Sequence, residues 1–216
     1  MKKITFLFSV IIGLMANPLI VSAAEPFVAG VDYELIRPAQ APMTEGKIEV
    51  TEVFSYGCIH CSRLEPLMER WLKNKPDDVE FIRMPTALGG ERWKIYVRAY
   101  YTAEALGVLE QTHQAMFDAI HRLKEPLNSK ELLQAFFANY GVDAKSFNRA
   151  FGKRSFSVNL NANRAIDLSS RYGIKSTPTL VVNGKYRITS SERGGQRAIF
   201  KVLDYLIAKE REAANL

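Results

Sequence analysis

A β-rich run, Ile48 to Phe54, leads into Phe54-Ser55-Tyr56-Gly57-Cys58-Ile59-His60-Cys61-Ser62-Arg63-Leu64-Glu65-Pro66, and helix-forming sequence starts at Cys58. No other stretch constrains the fold as much, because a strand must deliver a cysteine to the mouth of a helix. There the unpaired N–H groups and the helix dipole favour a thiolate at Cys58. Cys61 lies one turn later on the same face, within disulfide reach. The chain has no other cysteine. A zinc site would need two more ligands, and only His113 and His121 remain outside the motif. A permanent disulfide closing so short a loop would restrain little unfolded-chain entropy. The motif therefore reads as a thiol–disulfide redox centre.

Residues 1–23 read as a secretory signal. Lys2 and Lys3 form a basic start, Ile4 to Val21 is mostly apolar, and Val21-Ser22-Ala23 offers small residues for cleavage. Asn17-Pro18 interrupts the segment, which argues against a membrane anchor. Export would place both cysteines where disulfides form and persist. The remaining roughly 190 residues suffice for one sizeable domain, or one domain with a large insertion. Without Lys2 and Lys3 the formal charge falls from +6 to +4, too mild and too evenly spread for nucleic acid.

The following segments divide by their periodicity. A short strand is expected at Tyr33 to Ile36. In Ile48–Phe54, Ile48, Val50 and Phe54 alternate with polar residues, and Glu52 is the odd residue on their face. It is either a carboxylate with access to water or a buried acid beneath the cysteines that relays their protons. The helix from Cys58 should reach about Asn74, kink near Pro66, and bury Leu64, Leu67, Met68 and Trp71. Val79 to Met84 is a second buried strand. Helical signals then follow from Trp93 to near Gly107, around Met116, Phe117 and Ile120, from an Asn128/Glu131 capping pair to Gly141, at Ala144 to Phe151 and at Val158 to Tyr172. His113 and His121, eight apart, should not share a face and read as surface or packing histidines. Thr179 to Val182, the Asn183-Gly184 turn and Lys185 to Ile188 form a hairpin. A polar loop, Thr189 to Gly195, leads to a last helix carrying Ile199, Leu203, Leu206 and Ile207.

This order, with Phe54-Ser55-Tyr56-Gly57-Cys58-x-His60-Cys61, Ser176-Thr177-Pro178-Thr179 and Val182-Asn183-Gly184-Lys185-Tyr186, resembles the DsbA-type periplasmic thiol–disulfide oxidoreductases. The resemblance implies an α/β, thioredoxin-like fold with an inserted all-helical domain: residues 24–88 and 173–216 for the first, 89–172 for the second. It implies that Pro178, preceded by Thr177, is a cis-proline lying against the cysteines, where the residues alone would suggest an ordinary trans bond. Ile59 departs from the family, whose best-known members carry Pro-His between the cysteines. Whether Arg83 turns inward to meet Glu52 is open at this stage.

The activity expected is donation of a Cys58–Cys61 disulfide to unfolded or reduced exported proteins, with no cofactor beyond that disulfide. Cys58 is the sulfur attacked, Cys61 its buried partner, and His60 a source of charge or an N–H beside the Cys58 thiolate. By resemblance a quinone-linked membrane partner of the DsbB type reoxidises the protein, which is expected to be a monomer. Two rivals stand: a reductase or isomerase using the same cysteines, and a peptide-binding chaperone in which they are incidental.

Overall fold

The computed structural model describes residues 26–189 and 195–214, so the expected signal and most of the loop after Thr189 lie outside the described residues. Five strands form one sheet in the order β1-β5-β4-β2-β3: β1 (Glu34–Leu35), β2 (Ile48–Phe54), β3 (Val79–Pro85), β4 (Thr179–Val182) and β5 (Tyr186–Thr189). β2 pairs parallel with β3 and antiparallel with β4; β5 runs antiparallel to both β4 and β1. The helices are α1 (Ile59–Leu72), α2 (Glu91–Ala105), α3 (Leu109–Phe117), α4 (Lys130–Ala138), α5 (Ala144–Phe151), α6 (Phe156–Arg171) and α7 (Gly195–Ala214). The α2–α6 block interrupts a thioredoxin-like α/β sheet between β3 and β4.

All seven residues of β2 are buried, including Glu49 and Thr51, so the strand does not keep the polar outer face its alternation predicts. It is a central strand covered on both faces. One layer joins Ile48 and Val50 to Leu64 and Met68 of α1 and to Ile199, Leu203 and Leu206 of α7. The opposite layer joins Val53 to Met84, Ala165, Tyr172 and Ile174. A third cluster runs from Phe54, Tyr56 and both cysteines into Met116, Phe117, Leu133, Phe137 and Phe147 of the helical block. The redox motif thus lies on a seam between sheet and block.

Local chemistry sets most boundaries. α1 begins after Cys58, which has extended backbone (φ −97°, ψ 112°), and continues through Pro66. Leu64 and Met68 are fully buried, while Leu67 and Trp71 sit half-buried against the same layer. α4 is capped by Ser129, whose hydroxyl accepts the Leu132 N–H, and not by Asn128; the expected cap was one residue early. In the β4–β5 turn Asn183 and Gly184 both have positive φ (49° and 62°), the type I′ pattern that matches strand twist.

Candidate active site

β2 ends at Phe54, and the Ser55–Gly57 turn carries the chain to Cys58. The Cys58 N–H donates to the Ser55 carbonyl (3.0 Å), and the Gly57 N–H to the Ser55 hydroxyl (3.2 Å). A Cβ at Gly57 would meet Trp93 Nε1 at 2.6 Å, so an indole from α2 fixes the approach. Cys58 is 7% exposed and Cys61 wholly buried, and both are free thiols in this structure.

Their environments push them apart. Cys58 is lowered to about 5 by hydrogen bonds from the Cys61 thiol, the Thr177 side chain and the backbone amides of Cys61 and His60, against the opposing effect of burial. Cys61 is pushed well above the ordinary thiol range by burial, by its bond to Cys58, and by the charges of Cys58 and Glu52. The Thr177 carbonyl lies 3.3 Å from Cys58 Sγ, where it accepts from the protonated thiol. The Thr177–Pro178 bond is cis, as the resemblance implied, and Pro178 is buried. Arg37–Pro38 is also cis, which nothing in the sequence suggested.

The His60 side chain is exposed. Its backbone serves the site, the amide toward Cys58 and the carbonyl accepting from Gln196 Nε2 of α7 at 2.5 Å.

Glu52 is completely buried, so it is not the water-exposed carboxylate that one reading allowed. Parallel pairing places it opposite Arg83, and the guanidinium does turn inward: Arg83 Nε lies 3.6 Å from Glu52 Oε2. Neither Glu52 oxygen has a hydrogen-bond partner among the described residues. Burial and the neighbouring Glu65 raise Glu52 to about 8, against the pull of Arg83. The remaining Arg83 contacts go to α1, from Nη2 to Glu65 Oε1 (2.5 Å) and Glu69 Oε1 (2.7 Å).

Sequence reasoning missed the rest of this cluster. Glu65 is buried four residues after Cys61, on the apolar side of α1, where a helical wheel would place it. His113 is buried too, so it is no surface residue; its Nε2 lies 3.3 Å from Glu65 Oε1 and its Nδ1 2.9 Å from the Tyr56 hydroxyl. His121 Nε2 lies 2.8 Å from the Tyr56 carbonyl. The two histidines do converge on one residue. A π-helical turn, Asp118–Arg122, follows α3, and its wider i→i+5 spacing rotates His121 back toward the His113 side. Phe54, Tyr100 and Phe117 pack edge-on around His113.

An exposed-side thiol held as a thiolate, over a buried thiol held protonated, is the asymmetry that disulfide exchange requires. Known proteins agree with that chemistry. A family model described as Thioredoxin matches residues 43–201. The thiol:disulfide interchange protein DsbA of Azotobacter vinelandii is 41% identical over 177 residues, covering 82% of this chain and 81% of that protein. The crystal structure of Pseudomonas aeruginosa DsbA superposes with a TM-score of 0.82 at 37% identity, covering 90% of this chain and 100% of that one. That of the oxidoreductase DsbA from Xylella fastidiosa gives 0.79 at 33% identity, covering 87% and 99%. With its sheet, its inserted helices and its paired, unequal cysteines, the chain belongs to the DsbA family of thiol:disulfide oxidoreductases.

Proposed function

We propose that this thiol:disulfide oxidoreductase works as a disulfide donor to reduced, unfolded proteins in the periplasm. The observation that carries this direction is the opposition of the two thiols: a stabilised Cys58 thiolate favours the reduced protein and so makes its disulfide oxidising. A substrate thiolate attacks Cys58 Sγ of the Cys58–Cys61 disulfide. The Cys58–Cys61 bond breaks, a substrate–Cys58 bond forms, and Cys61 leaves, taking a proton from Glu52. A second substrate thiolate then attacks the substrate sulfur of the mixed disulfide, and Cys58 departs as the stabilised thiolate. The substrate is oxidised by two electrons and the protein reduced by two. Glu52 refills its proton from solvent.

Thr177 and Pro178 form the wall against which the substrate strand lies beside Cys58. His60 supports the thiolate through its amide. The redox group is the Cys58–Cys61 pair itself. Reoxidation falls to a quinone-linked membrane protein of the DsbB type, and the protein acts as a monomer, exported by residues 1–23. No helix among the described residues is long and apolar enough to cross a membrane. The division into residues 24–88 with 173–216 and an inserted 89–172 is supported by the chain order, in which the helices α2–α6 all fall between β3 and β4 of one sheet.

The test is oxidation of a dithiol peptide together with the equilibrium of the cysteine pair against glutathione. Cys58→Ser abolishes peptide oxidation, while Cys61→Ser accumulates mixed disulfides through Cys58, since no resolving thiol remains. Equal trapping by both single variants would show that the assignment of attacked and resolving sulfurs is wrong. A potential in the thioredoxin range would turn the donor into a reductant.

A further inference from the structure

One guanidinium faces three carboxylates, two of them buried (Glu52 and Glu65) and one, Glu69, exposed, and the hydrogen bonds are unevenly shared. Arg83 Nη2 is committed to Glu65 and Glu69 of α1, whereas Glu52 receives only a 3.6 Å approach from Nε and no hydrogen bond among the described residues. What fixes this division lies outside the redox motif. His113, on α3, faces the same Glu65 oxygen that Arg83 binds, at 3.3 Å, while its other ring nitrogen is occupied by the Tyr56 hydroxyl. With the tyrosine donating to Nδ1, the neutral ring carries its proton on Nε2, which faces Glu65 Oε1 at 3.3 Å without completing a hydrogen bond. The ring is walled by Phe54 and Phe117, with centroids at 5.2 and 5.4 Å, so it has little freedom to turn away.

We propose that His113 is a positioning residue of the exchange reaction: by holding Glu65 as the ionised partner of Arg83, it leaves Glu52 as the buried carboxyl that carries the exchangeable proton beneath Cys61. This rests on the donor mechanism above, in which Cys61 leaves as a thiolate and Glu52 supplies its proton. The helical block then enters the chemistry through one side chain, without touching substrate or sulfur.

The direction follows from competition for a single cation. Facing Glu52 are Cys61, Glu65 and Glu69 of α1, Arg83 of β3, Tyr56 of the turn and Tyr100 of α2. Facing His113 are Glu65, Glu69, Arg83, Tyr56 and Tyr100. Burial raises Glu65, but the close approach of His113 Nε2 together with the charge and hydrogen bond of Arg83 outweighs it and holds Glu65 below the ordinary carboxylate value. Without His113, Glu65 loses a buried partner and becomes the better place for a proton. Arg83 is then free to ionise Glu52.

The experiment follows Glu carboxyl resonances against pH in full-length, 13C-glutamate-labelled protein, with Glu52 assigned by its loss in Glu52→Gln. Alongside it, the rate of mixed-disulfide formation with a peptide thiol is measured from pH 5 to 9. In the unaltered protein the acid contributed by Glu52 is present below about 8 and lost as pH rises through that value. His113→Leu should lower the Glu52 midpoint by about one pH unit and move the high-pH loss of rate down with it. His113→Gln, which still presents an N–H, should restore most of the shift. Phe137→Leu, which loosens the helical block away from the His113 ring, should leave the midpoint in place. A folded His113→Leu protein with an unmoved midpoint, or an equal shift in Phe137→Leu, overturns the proposal. Should His113→Leu fail to fold, Glu65→Gln must give the same downward shift, and no shift there overturns it equally. The mechanism beneath it fails separately, if Glu52→Gln keeps the high-pH loss of rate.

Discussion

At the lower end of β2 the Glu49 carboxylate accepts the Met43 N–H (2.6 Å), the Thr44 N–H (3.0 Å) and the Thr51 hydroxyl (3.2 Å); three residues on, neither oxygen of Glu52 accepts a hydrogen bond among the described residues. Both glutamates are buried. Around the first, polar groups close on one another: the Glu49 N–H donates to Asn183 Oδ1, and Asn183 Nδ2 and Lys185 Nζ both donate to Glu210 Oε2 at 2.7 Å. Around the second, three carboxylates share Arg83, and Glu52 takes the weakest share. Burying a charge is expensive, and full hydrogen bonding offsets that expense only for Glu49. One strand therefore carries an acid that holds a loop and an acid buried without a hydrogen bond among the described residues.

The sharpest way to break this contrast is to remove each carboxylate in turn. Glu49→Ala leaves the Met43 and Thr44 amides without their acceptor and should cost on the order of 3 kcal/mol, lowering Tm by roughly 6–12 °C in a chain of this size, with the Cys58 titration unmoved. Glu52→Gln should fold with stability within about 1 kcal/mol of the parent at neutral pH, because little hydrogen bonding is lost. Its signature is in the pH dependence. Glu52 has a folded-state value of about 8, above the unfolded one, so between ordinary carboxylate pH and 8 the folded state binds the extra proton and loses stability as pH rises. That decline, at most about 1.4 kcal/mol per pH unit, should be missing from Glu52→Gln. Equal destabilisation by Glu49→Ala and Glu52→Gln in denaturant titrations would erase the distinction.

A second measurement sharpens it at the sulfurs. Cys58 has a depressed folded-state value, so its contribution to the reduced form is full above the ordinary thiol range and disappears as pH falls through about 5. The reduced protein should melt above the oxidised one at pH 7, with the gap closing in acid. An oxidised form that melts higher at pH 7 would mean that the disulfide braces this fold and that the protein is a reductant.

The smallest effect belongs to His60. Its side chain is exposed, and it reaches Cys58 through an amide that substitution does not remove. His60→Ala should raise the Cys58 titration, read from thiolate absorbance, by less than about one unit. Ile59→Pro should change it less. An unmoved titration in His60→Ala assigns the whole effect to Cys61, Thr177 and the backbone amides.

Much of this architecture can be read before any coordinates. Strand–CxxC–helix, the Asn183-Gly184 hairpin and the apolar spacing of α7 are local signals, and each holds in the fold. The polar side of β2 misleads, because burial of a central strand on both faces depends on α6 arriving from over a hundred residues away. Glu52 shows as an anomaly on its own strand. Its neighbours do not: Arg83 meets it through parallel register, Glu65 through the packing of α1, and His113 through a helical block whose π-turn breaks ordinary spacing. Charged residues at helix spacing read as surface unless a partner is known, and here every partner comes from another element.

The two rims of the sheet have a consequence of another kind. A protein that works among unfolded chains is surrounded by backbone seeking a strand to pair with, and open sheet edges are templates for such pairing. At one edge β1 has only two residues, and Arg187 of β5 ties it down by an ion pair to Glu34 and hydrogen bonds to the carbonyls of Tyr172 and Gly173 (2.8 Å each). At the other, β3 carries Glu80 and Arg83 and ends at Pro85, which has no N–H to offer. Both rims are thereby poor templates for an added strand.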